Sequence, residues 1–215
     1  MTWRVVRHAE TATAFHARPI PDPPGRAVWV CEPTGPALVL GSAQPDDRVD
    51  RAACAAAGID VVRRHSGGGA VLVMPGEVLW VDVVVPVGDG LWEGDVGRAF
   101  HWVGEAWAAA LGELGVAAEV HRGPLERSRW SSDVCFAGLG PGEVTVEGRK
   151  VVGMSQRRTR SAARFQCAAL GRWDPAALIA LLGLPPAAAD DLRGAAAGVG
   201  PDLESLLAAV LRHLP

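Results

Sequence analysis

A run of three glycines between two apolar segments places the strongest constraint on this chain. The segment VVRRHSGGGAVLVMPG (residues 61–76) passes from an apolar stretch through two arginines, a histidine and a serine into the glycines, and then turns apolar again. Consecutive glycines carry a high conformational-entropy cost and are unusual as a plain turn between strands. Because they lack Cβ atoms, their N–H groups can approach a ligand closely. The segment therefore predicts a ligand-binding loop between two strands.

The residues beside the glycines indicate the chemistry of such a ligand. Arg63 and Arg64 provide donors suited to a carboxylate or a phosphate, and His65 could serve as a base. The loop lacks the G-x-x-x-x-G-K-[ST] pattern, and no G-x-G-x-x-G precedes a helix, so a P-loop and a Rossmann turn are both excluded. The alternative interpretation is a glycine loop whose arginines only face solvent.

A second segment, VEGRKVVGMSQRR (residues 146–158), predicts a β-hairpin that turns at Glu147 and Gly148. Its return strand carries Lys150, the only lysine of the sequence, flanked by two valines. An ammonium group is rarely placed in an apolar strand without a partner, so Lys150 is a candidate for polarising a carbonyl or holding a carboxylate or phosphate. The alternative interpretation is a surface lysine on an edge strand.

Cys135 is the candidate nucleophile. It lies in the polar, glycine-rich segment SSDVCFAGLGPGE (residues 131–143), where its thiolate would be stabilised if Lys150 or the arginines come close. Cys31, Cys54 and Cys167 lie in strand or helix contexts typical of small core residues. Because no C-x-x-C pair or metal-ligand spacing is present, we predict reduced thiols and no metal site.

The order of elements predicts an α/β (α+β) fold, with a mixed, largely antiparallel sheet flanked by helices. Predicted strands include residues 27–32 and 37–41, the segments on either side of the glycine loop, and a central strand at 77–86. Predicted helices cover residues 7–18 and 46–58, an apolar stripe from 96 to 114, and two segments that start at 174 and after 201.

Composition and charge exclude several classes of protein. The 215 residues are 49% hydrophobic, enough for one good core, and the net charge of −3 gives no general attraction to nucleic acids or acidic membranes. The longest apolar run, residues 78–87, contains Asp82 and is far shorter than the roughly 20 residues of a membrane span. No signal-peptide pattern opens the sequence. We predict a single domain, residues 1–215, located in the cytoplasm.

The combination of RRHSGGGAV and, about eighty residues later, VEGRKVVGMSQRR resembles the lipoate–protein ligase family and its octanoyltransferase relatives. Their catalytic domain is shared with biotin–protein ligase, and the resemblance covers roughly residues 25–185. It implies that the glycine loop lines an acyl pocket and that the hairpin lysine touches the acyl carbonyl or an acyl-adenylate phosphate. Cys135 and Lys150 are then the predicted catalytic residues. The predicted substrate-binding residues are Arg63, Arg64, His65, Ser66, Gly67, Gly68, Gly69, Gly153, Ser155 and Gln156.

Within the family, the residues favour acyl transfer over ATP-dependent ligation. The ligases usually carry an RND-type stretch ahead of the lysine hairpin, and they have or recruit a small accessory domain. Here SSDVCFAG (residues 131–138) stands in that place, with Cys135 fifteen residues before Lys150, as in the cysteine-dependent octanoyltransferases. About thirty residues follow the match, so we predict no C-terminal accessory domain.

Three hypotheses follow. The first is transfer of an octanoyl or lipoyl group through a Cys135 thioester, without a cofactor, to the acceptor lysine of a lipoyl domain. The acceptor would be the E2 subunit of a 2-oxoacid dehydrogenase or the glycine-cleavage H protein, and an acyl carrier protein is a candidate donor. The second is a lipoate–protein ligase that uses ATP and Mg²⁺. The third is a non-catalytic module that binds acyl groups.

Two segments depart from the family pattern. The ligases usually carry HD-x-G-N after the glycine loop, where this chain has VMPGEVLW (residues 73–80). Family members usually have a His-Gly pair after the lysine hairpin, where this chain has RFQCAALGRW (residues 164–173). Those sites help to shape the head-group and acceptor-lysine region. The departures therefore leave open an altered acyl group, an altered acceptor, or binding without turnover.

Overall fold

The computed structural model describes residues 2–215, and within them the chain forms ten strands and six α-helices. The strands are β1 (Arg4–Glu10), β2 (Ala27–Pro33), β3 (Ala37–Leu40), β4 (Asp60–Arg63), β5 (Val71–Val73), β6 (Val78–Pro86), β7 (Glu119–Val120), β8 (Val144–Val146), β9 (Arg149–Arg158) and β10 (Ala162–Leu170). The helices are α1 (Ala12–Ala17), α2 (Arg51–Ala56), α3 (His101–Glu113), α4 (Ala176–Leu181), α5 (Ala188–Ala195) and α6 (Leu203–His213). No helix in this described part of the chain is long and apolar enough to cross a membrane.

The strands form two sheets. Seven strands make one sheet in the order β1-β2-β6-β10-β9-β8-β7, and the other three make a smaller sheet in the order β4-β3-β5. The pairs β1/β2 and β3/β4 are parallel, and the remaining pairs are antiparallel. The prediction of a mixed, largely antiparallel sheet flanked by helices is confirmed.

Strand β6 is central and is buried on both faces, as its β-branched sequence predicts. Val81 and Val83 on one face belong to the same apolar cluster as Trp107 of α3 and Leu206 of α6. On the other face, Trp80 packs in a cluster that includes residues of the smaller sheet. The large sheet is therefore covered by helices on one side and by the small sheet on the other.

A buried ion pair crosses this core. Asp82 of β6 is 0% exposed and Arg164 of β10 is 2% exposed. Arg164 Nε donates to Asp82 Oδ2 over 2.7 Å, and Trp80 Nε1 donates to the other carboxylate oxygen over 2.8 Å. Arg164 also donates to the carbonyl oxygens of Phe15 (2.7 Å) and Arg18 (3.0 Å). The pair therefore fastens the C-terminal end of α1 to the sheet.

The N-terminal prediction was wrong in its first part. Residues 7–18 were predicted as one helix, but Arg7–Glu10 belong to β1, which pairs in parallel with β2. Pairing along the edge of the large sheet outweighs the helix propensity of this short alanine-containing segment. Helix α1 begins only after Thr11, whose hydroxyl accepts a hydrogen bond from Ala14 N over 3.2 Å.

Two other helices are shorter than predicted. Val96 lies before α3 and is 55% exposed, whereas Val103, Trp107 and Leu111 of the predicted stripe are buried. Residues 46–58 form a 3₁₀ turn and then α2, which is capped by the Asp50 carboxylate through Ala53 N. The predicted hairpin of β8 and β9 is confirmed, with Glu147 and Gly148 both at positive φ.

Removal of the Asp82 carboxylate would leave the Arg164 charge unpaired in the core. We predict that Asp82→Leu lowers the free energy of unfolding by about 3–5 kcal/mol, whereas Asp82→Leu/Arg164→Met recovers most of the loss because no charge is left buried alone. Urea unfolding followed by tryptophan fluorescence measures both variants. A double variant as unstable as the single one would show that the bonds from Arg164 to α1, rather than charge pairing, dominate.

Candidate active site

The glycine loop is bound by its backbone to the segment that carries Cys135. Ala70 N donates to Asp133 O over 2.7 Å, and Cys135 N donates to Ala70 O over 2.9 Å. A Cβ placed on Gly69 would lie 2.4 Å from Val134 N. The third glycine is therefore needed for a close approach of two backbones, which brings the first predicted motif against the predicted nucleophile.

The first glycines of the loop have different surroundings. Gly68 has a φ of +91°, in the region that favours glycine, and its carbonyl oxygen would lie 1.8 Å from a Cβ on Gly41. Gly67 has open space around it. A Cβ on Gly68 would lie 3.1 Å from Arg64 Nη2 and 3.9 Å from Cys135 Sγ, so this guanidinium and this thiol flank the same point of the loop.

Arg64 and Arg63 point to different places, as neighbours at the end of a strand do. Arg64 is 6% exposed and donates to the carbonyl oxygens of Val39, Gly67 and Gly69 over 3.3, 2.7 and 2.8 Å. No carboxylate among residues 2–215 forms an ion pair with it, so its charge is balanced only by carbonyl dipoles.

Arg63 and His65 lie outside the group of residues around Cys135. Arg63 donates to the carbonyl oxygens of Gly41 and Gln44, each over 2.7 Å, and pairs with Asp46 at 2.7 Å. His65 is exposed. The structure thus places one of the two predicted arginines beside the candidate nucleophile and uses the other to hold the segment after β3.

Lys150 is 3% exposed, which contradicts the alternative of a surface lysine. Its Nζ forms an ion pair with Glu143 at 2.7 Å and donates to the carbonyl oxygens of Cys135 and Gly138, each over 3.1 Å. It also lies 5.0 Å from the ring centroid of Phe136. Because an ammonium group has three N–H donors, these three oxygen contacts use all of them. Lys150 therefore holds the turn that presents Cys135.

A β-bulge in β9 determines which residues face Lys150. Val144 pairs with Val152, whereas Thr145 pairs with Lys150, so Val151 is an extra residue in β9. The extra residue shifts the alternation of the strand and turns Gly153 toward Lys150. A Cβ on Gly153 would lie 3.1 Å from Lys150 Cε and 3.2 Å from Phe136 Cζ, so any larger residue here would have to displace these side chains by a few tenths of an ångström.

Glu143 is a residue of the site that the sequence reasoning missed. It is buried, and its Oε2 accepts from Gly140 N over 2.7 Å as well as pairing with Lys150. Its Oε1 accepts from Met154 N over 2.9 Å. The available signal was the hairpin itself, since pairing of β8 with β9 brings the residue before β8 close to the only lysine.

Cys135 is half-buried, whereas Cys31, Cys54 and Cys167 are buried. Burial raises the pKa of the Cys31 and Cys167 thiols well above the usual range, which makes them poor nucleophiles. The prediction of free thiols is consistent with the described structure, in which all four cysteines are unpaired.

Cys135 lies where two cavities meet. One is an apolar cavity of about 80 Å³, whose walls include Val39, Val71, Val73, Trp80 and Phe136. The other is a larger and more polar groove of about 750 Å³, whose walls include Arg127, Ser131, Glu143 and Lys150. Gly67, Cys135 and Met154 line both. A group on the Cys135 sulfur can therefore be reached from the groove while its apolar part occupies the cavity.

The segments that depart from the family pattern form part of the apolar wall. Val73, Gln166 and Cys167 all line the cavity, as does the predicted residue Ser155. Two other predicted residues lie elsewhere. Gln156 is engaged through its Oε1 by Arg158 Nε over 2.8 Å, and the buried Ser66 hydroxyl has no protein partner in the described part of the chain.

His16 of α1 is the second residue that the sequence reasoning missed, and it lines the apolar cavity. It is 8% exposed, its ring centroid lies 4.9 Å from that of Trp80, and neither ring nitrogen has a partner among residues 2–215. Burial and, to a smaller extent, the charges of Arg164 and Arg64 together lower the pKa of His16 to about 3. The imidazole is therefore neutral at physiological pH.

The close approach at Gly69 gives a prediction with a matched control. Gly69→Ala should lower the free energy of unfolding by about 1–3 kcal/mol, because the added methyl group forces the Cys135 segment away. Gly67→Ala, where a Cβ meets nothing within 4 Å, should change it by about 0.5 kcal/mol or less. Urea unfolding measures both. Equal stabilities of the two variants would contradict the role assigned to Gly69.

The buried neutral histidine makes stability depend on pH. The unfolded chain binds a proton at His16 near pH 6.5 and the folded chain only near pH 3, so acid favours the unfolded state. Between pH 7 and pH 5 this difference should remove about 2 kcal/mol from the free energy of unfolding. We predict that His16→Leu loses correspondingly less stability over that interval in urea unfolding. An identical pH dependence of the free energy of unfolding in the two proteins would show that His16 binds its proton in the folded state as readily as in the unfolded state.

Solved structures of lipoate and biotin ligases share this fold. A lipoate-protein ligase A bound with ATP superposes with a TM-score of 0.74 at 20% identity, over 99% of this chain and 84% of that one. A bipartite lipoate protein ligase from Thermoplasma acidophilum, described with its E2 lipoyl domain, gives 0.75 at 20% identity over 99% and 82%. A biotin protein ligase from Aquifex aeolicus gives 0.51 at 12% identity over 98% and 68%. At these identities the likeness establishes the fold.

Comparison at the level of sequence establishes the family. Octanoyltransferase LipM of Kyrpidia tusciae is 33% identical over 201 residues, which are 86% of this chain and 71% of that protein. Octanoyltransferase LipM of Carboxydothermus hydrogenoformans is 32% identical over 126 residues, which are 58% of this chain and 45% of that protein. The family model of the lipoyl protein ligase A/B catalytic domain matches residues 12–200, so it extends past the predicted 25–185 at both ends. The chain belongs to the lipoyl protein ligase A/B catalytic domain family.

Proposed function

We propose that this chain transfers an octanoyl or lipoyl group to a lysine of a lipoyl-domain protein and holds the acyl group as a thioester on Cys135. The observation that carries the proposal is the position of Cys135 at the junction of the apolar cavity and the polar groove. The similarity to two octanoyltransferases supports the acyl group and the reaction type.

The apolar cavity would receive the acyl chain. Its walls carry valine, tryptophan and phenylalanine side chains, and each methylene that leaves water for such surroundings contributes about 0.8 kcal/mol. Cys135 lies at the mouth that opens to the groove, so a chain attached to its sulfur would extend inward. Arg64 and the glycine loop would then stand beside the thioester, because the guanidinium and Sγ flank the same point at Gly68.

The reaction would proceed in two balanced steps. The Cys135 thiolate attacks the carbonyl carbon of a donor thioester, the new C–S bond forms, and the donor thiol leaves with the proton that Cys135 gave up. The neutral amine of the acceptor lysine then attacks the carbonyl carbon of the Cys135 thioester. An amide C–N bond forms, the C–S bond to Cys135 breaks, and the amine proton returns to the Cys135 sulfur. Each step places negative charge on the carbonyl oxygen.

The charges around Cys135 suit that oxygen. Arg64 has no carboxylate partner in residues 2–215, so it supplies a positive charge that carbonyl dipoles only partly balance. Lys150 acts first as a positioning residue, since its three donors hold Glu143 and the carbonyls of Cys135 and Gly138. The N–H groups of the glycine loop are the other donors close to the thioester.

The groove would admit the acceptor and the acyl donor. Its wall carries Arg127, Ser128, Ser131 and Ser132, a polar and partly cationic surface that suits a protein partner rather than an acyl chain. We propose a lipoyl domain of a 2-oxoacid dehydrogenase E2 or the glycine-cleavage H protein as acceptor, and an acyl carrier protein as donor. The cytoplasmic location and the single-domain organisation stay predictions.

Intact-mass spectrometry tests the thioester. Wild-type protein mixed with octanoyl-acyl carrier protein, without ATP, should gain one octanoyl mass that hydroxylamine removes. Cys135→Ala should gain none, and Cys54→Ala, which changes a buried thiol in α2, should still gain it. Addition of a lipoyl domain to the loaded wild type should move the mass to the domain.

Two other results would each contradict the proposal. Acylation of the lipoyl domain by Cys135→Ala that depends on ATP, Mg²⁺ and free lipoate would establish the ligase hypothesis. Octanoate binding without transfer, both with the thioester donor and with ATP, would establish the acyl-binding module.

A further inference from the structure

Two polar side chains on the wall of the apolar cavity have buried atoms without a partner among residues 2–215: Gln166 through its Nε2, and His16 through both ring nitrogens. His16 lines the cavity, is 8% exposed, and has no partner for either ring nitrogen among residues 2–215. A buried donor or acceptor without a hydrogen bond is destabilising, and most buried polar groups in folded proteins are paired. An imidazole without a protein partner on the wall of a ligand cavity is therefore available to pair with a polar group of a ligand.

The position of His16 is fixed by the surrounding structure. Arg164 donates to the carbonyl oxygens of Phe15 and Arg18, on either side of His16 in the chain, and is itself held by Asp82. The ring of Trp80 packs against the imidazole, with the centroids 4.9 Å apart. A side chain held by these contacts cannot turn away to find another partner at low cost.

His16 lies on the part of the cavity wall that is separate from the groove. Gly67, Cys135 and Met154 line both the cavity and the groove, whereas His16, Trp80 and Gln166 line only the cavity. A chain attached at Cys135 that enters the cavity would therefore pass a wall that carries His16.

The charges nearby decide what kind of group suits His16. Burial, reinforced by the positive charges of Arg164 and Arg64, lowers the pKa of the ring and keeps it neutral, and the same charges disfavour an ammonium ligand. A carboxylate would have to lose its hydration in an apolar cavity beside a neutral ring. A neutral imidazole offers one N–H donor and one acceptor nitrogen, and a hydroxyl group both accepts and donates.

We propose that the cavity also accepts an acyl chain that carries a hydroxyl group, and that His16 is the residue that recognises this hydroxyl. The inference rests on the proposed use of the cavity by an acyl chain, and it adds a hydroxylated acyl group, as the preferred ligand, to the plain octanoyl group. An acyl chain without the oxygen would leave the imidazole unpaired.

Isothermal titration calorimetry with free acids tests the proposal without requiring any transfer. The ligands are octanoic acid and a positional series of monohydroxyoctanoic acids. We expect at least one hydroxylated acid to bind wild type about tenfold or more tighter than octanoic acid, because the site's buried polar group is then paired. Octanoic acid that binds tighter than every hydroxylated acid would overturn the proposal.

Variants at His16 assign the preference to this residue. His16→Leu and His16→Phe should reverse the preference in favour of octanoic acid, while His16→Asn, which keeps a donor and an acceptor, should retain part of it. The control His101→Leu makes the same substitution outside the cavity and should keep the wild-type preference. A preference that survives in both apolar variants would overturn the role of His16.

Thermal unfolding separates recognition from folding. Removal of an unpaired buried imidazole should raise the Tm of His16→Leu by about 2–4 °C, so the loss of selectivity should occur in a protein at least as stable as wild type. Failure of this inference also differs from failure of the proposed function. If Cys135 is octanoylated but the protein binds octanoic acid more tightly than the hydroxylated acids, only this inference is contradicted. If the protein prefers a hydroxylated acid but Cys135 is not acylated, only the proposed acyl transfer is contradicted.

Discussion

The backbone of Cys135 is held from both sides, and the site depends on this arrangement. Its N–H donates to Ala70 O at the end of the glycine loop, and its carbonyl oxygen accepts from Lys150 Nζ in the hairpin. Two segments that lie about eighty residues apart in sequence therefore meet at one residue. Each contact needs a close approach, and glycines at 69 and 153 leave the space for it. The sulfur is presented at the junction of two cavities as a consequence.

The local sequence pattern was enough to predict the strands around Cys135. The β-branched run of β6 predicted a central strand, and the Glu147–Gly148 pair predicted the hairpin that carries Lys150. The first strand could not be predicted in the same way. Segment 7–10 has no strand periodicity, and it is extended only because it pairs with β2, which is a tertiary interaction.

The site shows the same division between local and tertiary information. The sequence predicted that Cys135 and Lys150 belong together. The hairpin indicated that Glu143 comes near the lysine, but the ion pair itself also depends on the extra residue Val151 in β9, which no local pattern predicts. The sequence also predicted that both Arg63 and Arg64 bind the substrate. Strand alternation at the end of β4 instead sends one guanidinium toward Cys135 and the other toward Asp46. His16 gave no signal, since its place in the cavity is set by Arg164, about 150 residues later.

The distribution of buried charge explains how one small cavity can bind an apolar chain and still serve a reaction that develops negative charge. Arg64 lines the cavity, Lys150 lines the groove, and Arg164 holds the segment that carries His16. These three buried cations are balanced differently. Arg164 is neutralised by Asp82 and Lys150 by Glu143, so both act as structural pairs. Arg64 has only carbonyl partners in the described chain, and it is the one whose guanidinium lies beside Cys135. Positive potential is thus concentrated at the sulfur, where an oxyanion would form. At His16, burial and, to a smaller extent, the charges of Arg164 and Arg64 lower the pKa and keep the imidazole neutral, which leaves that wall fit for an uncharged group.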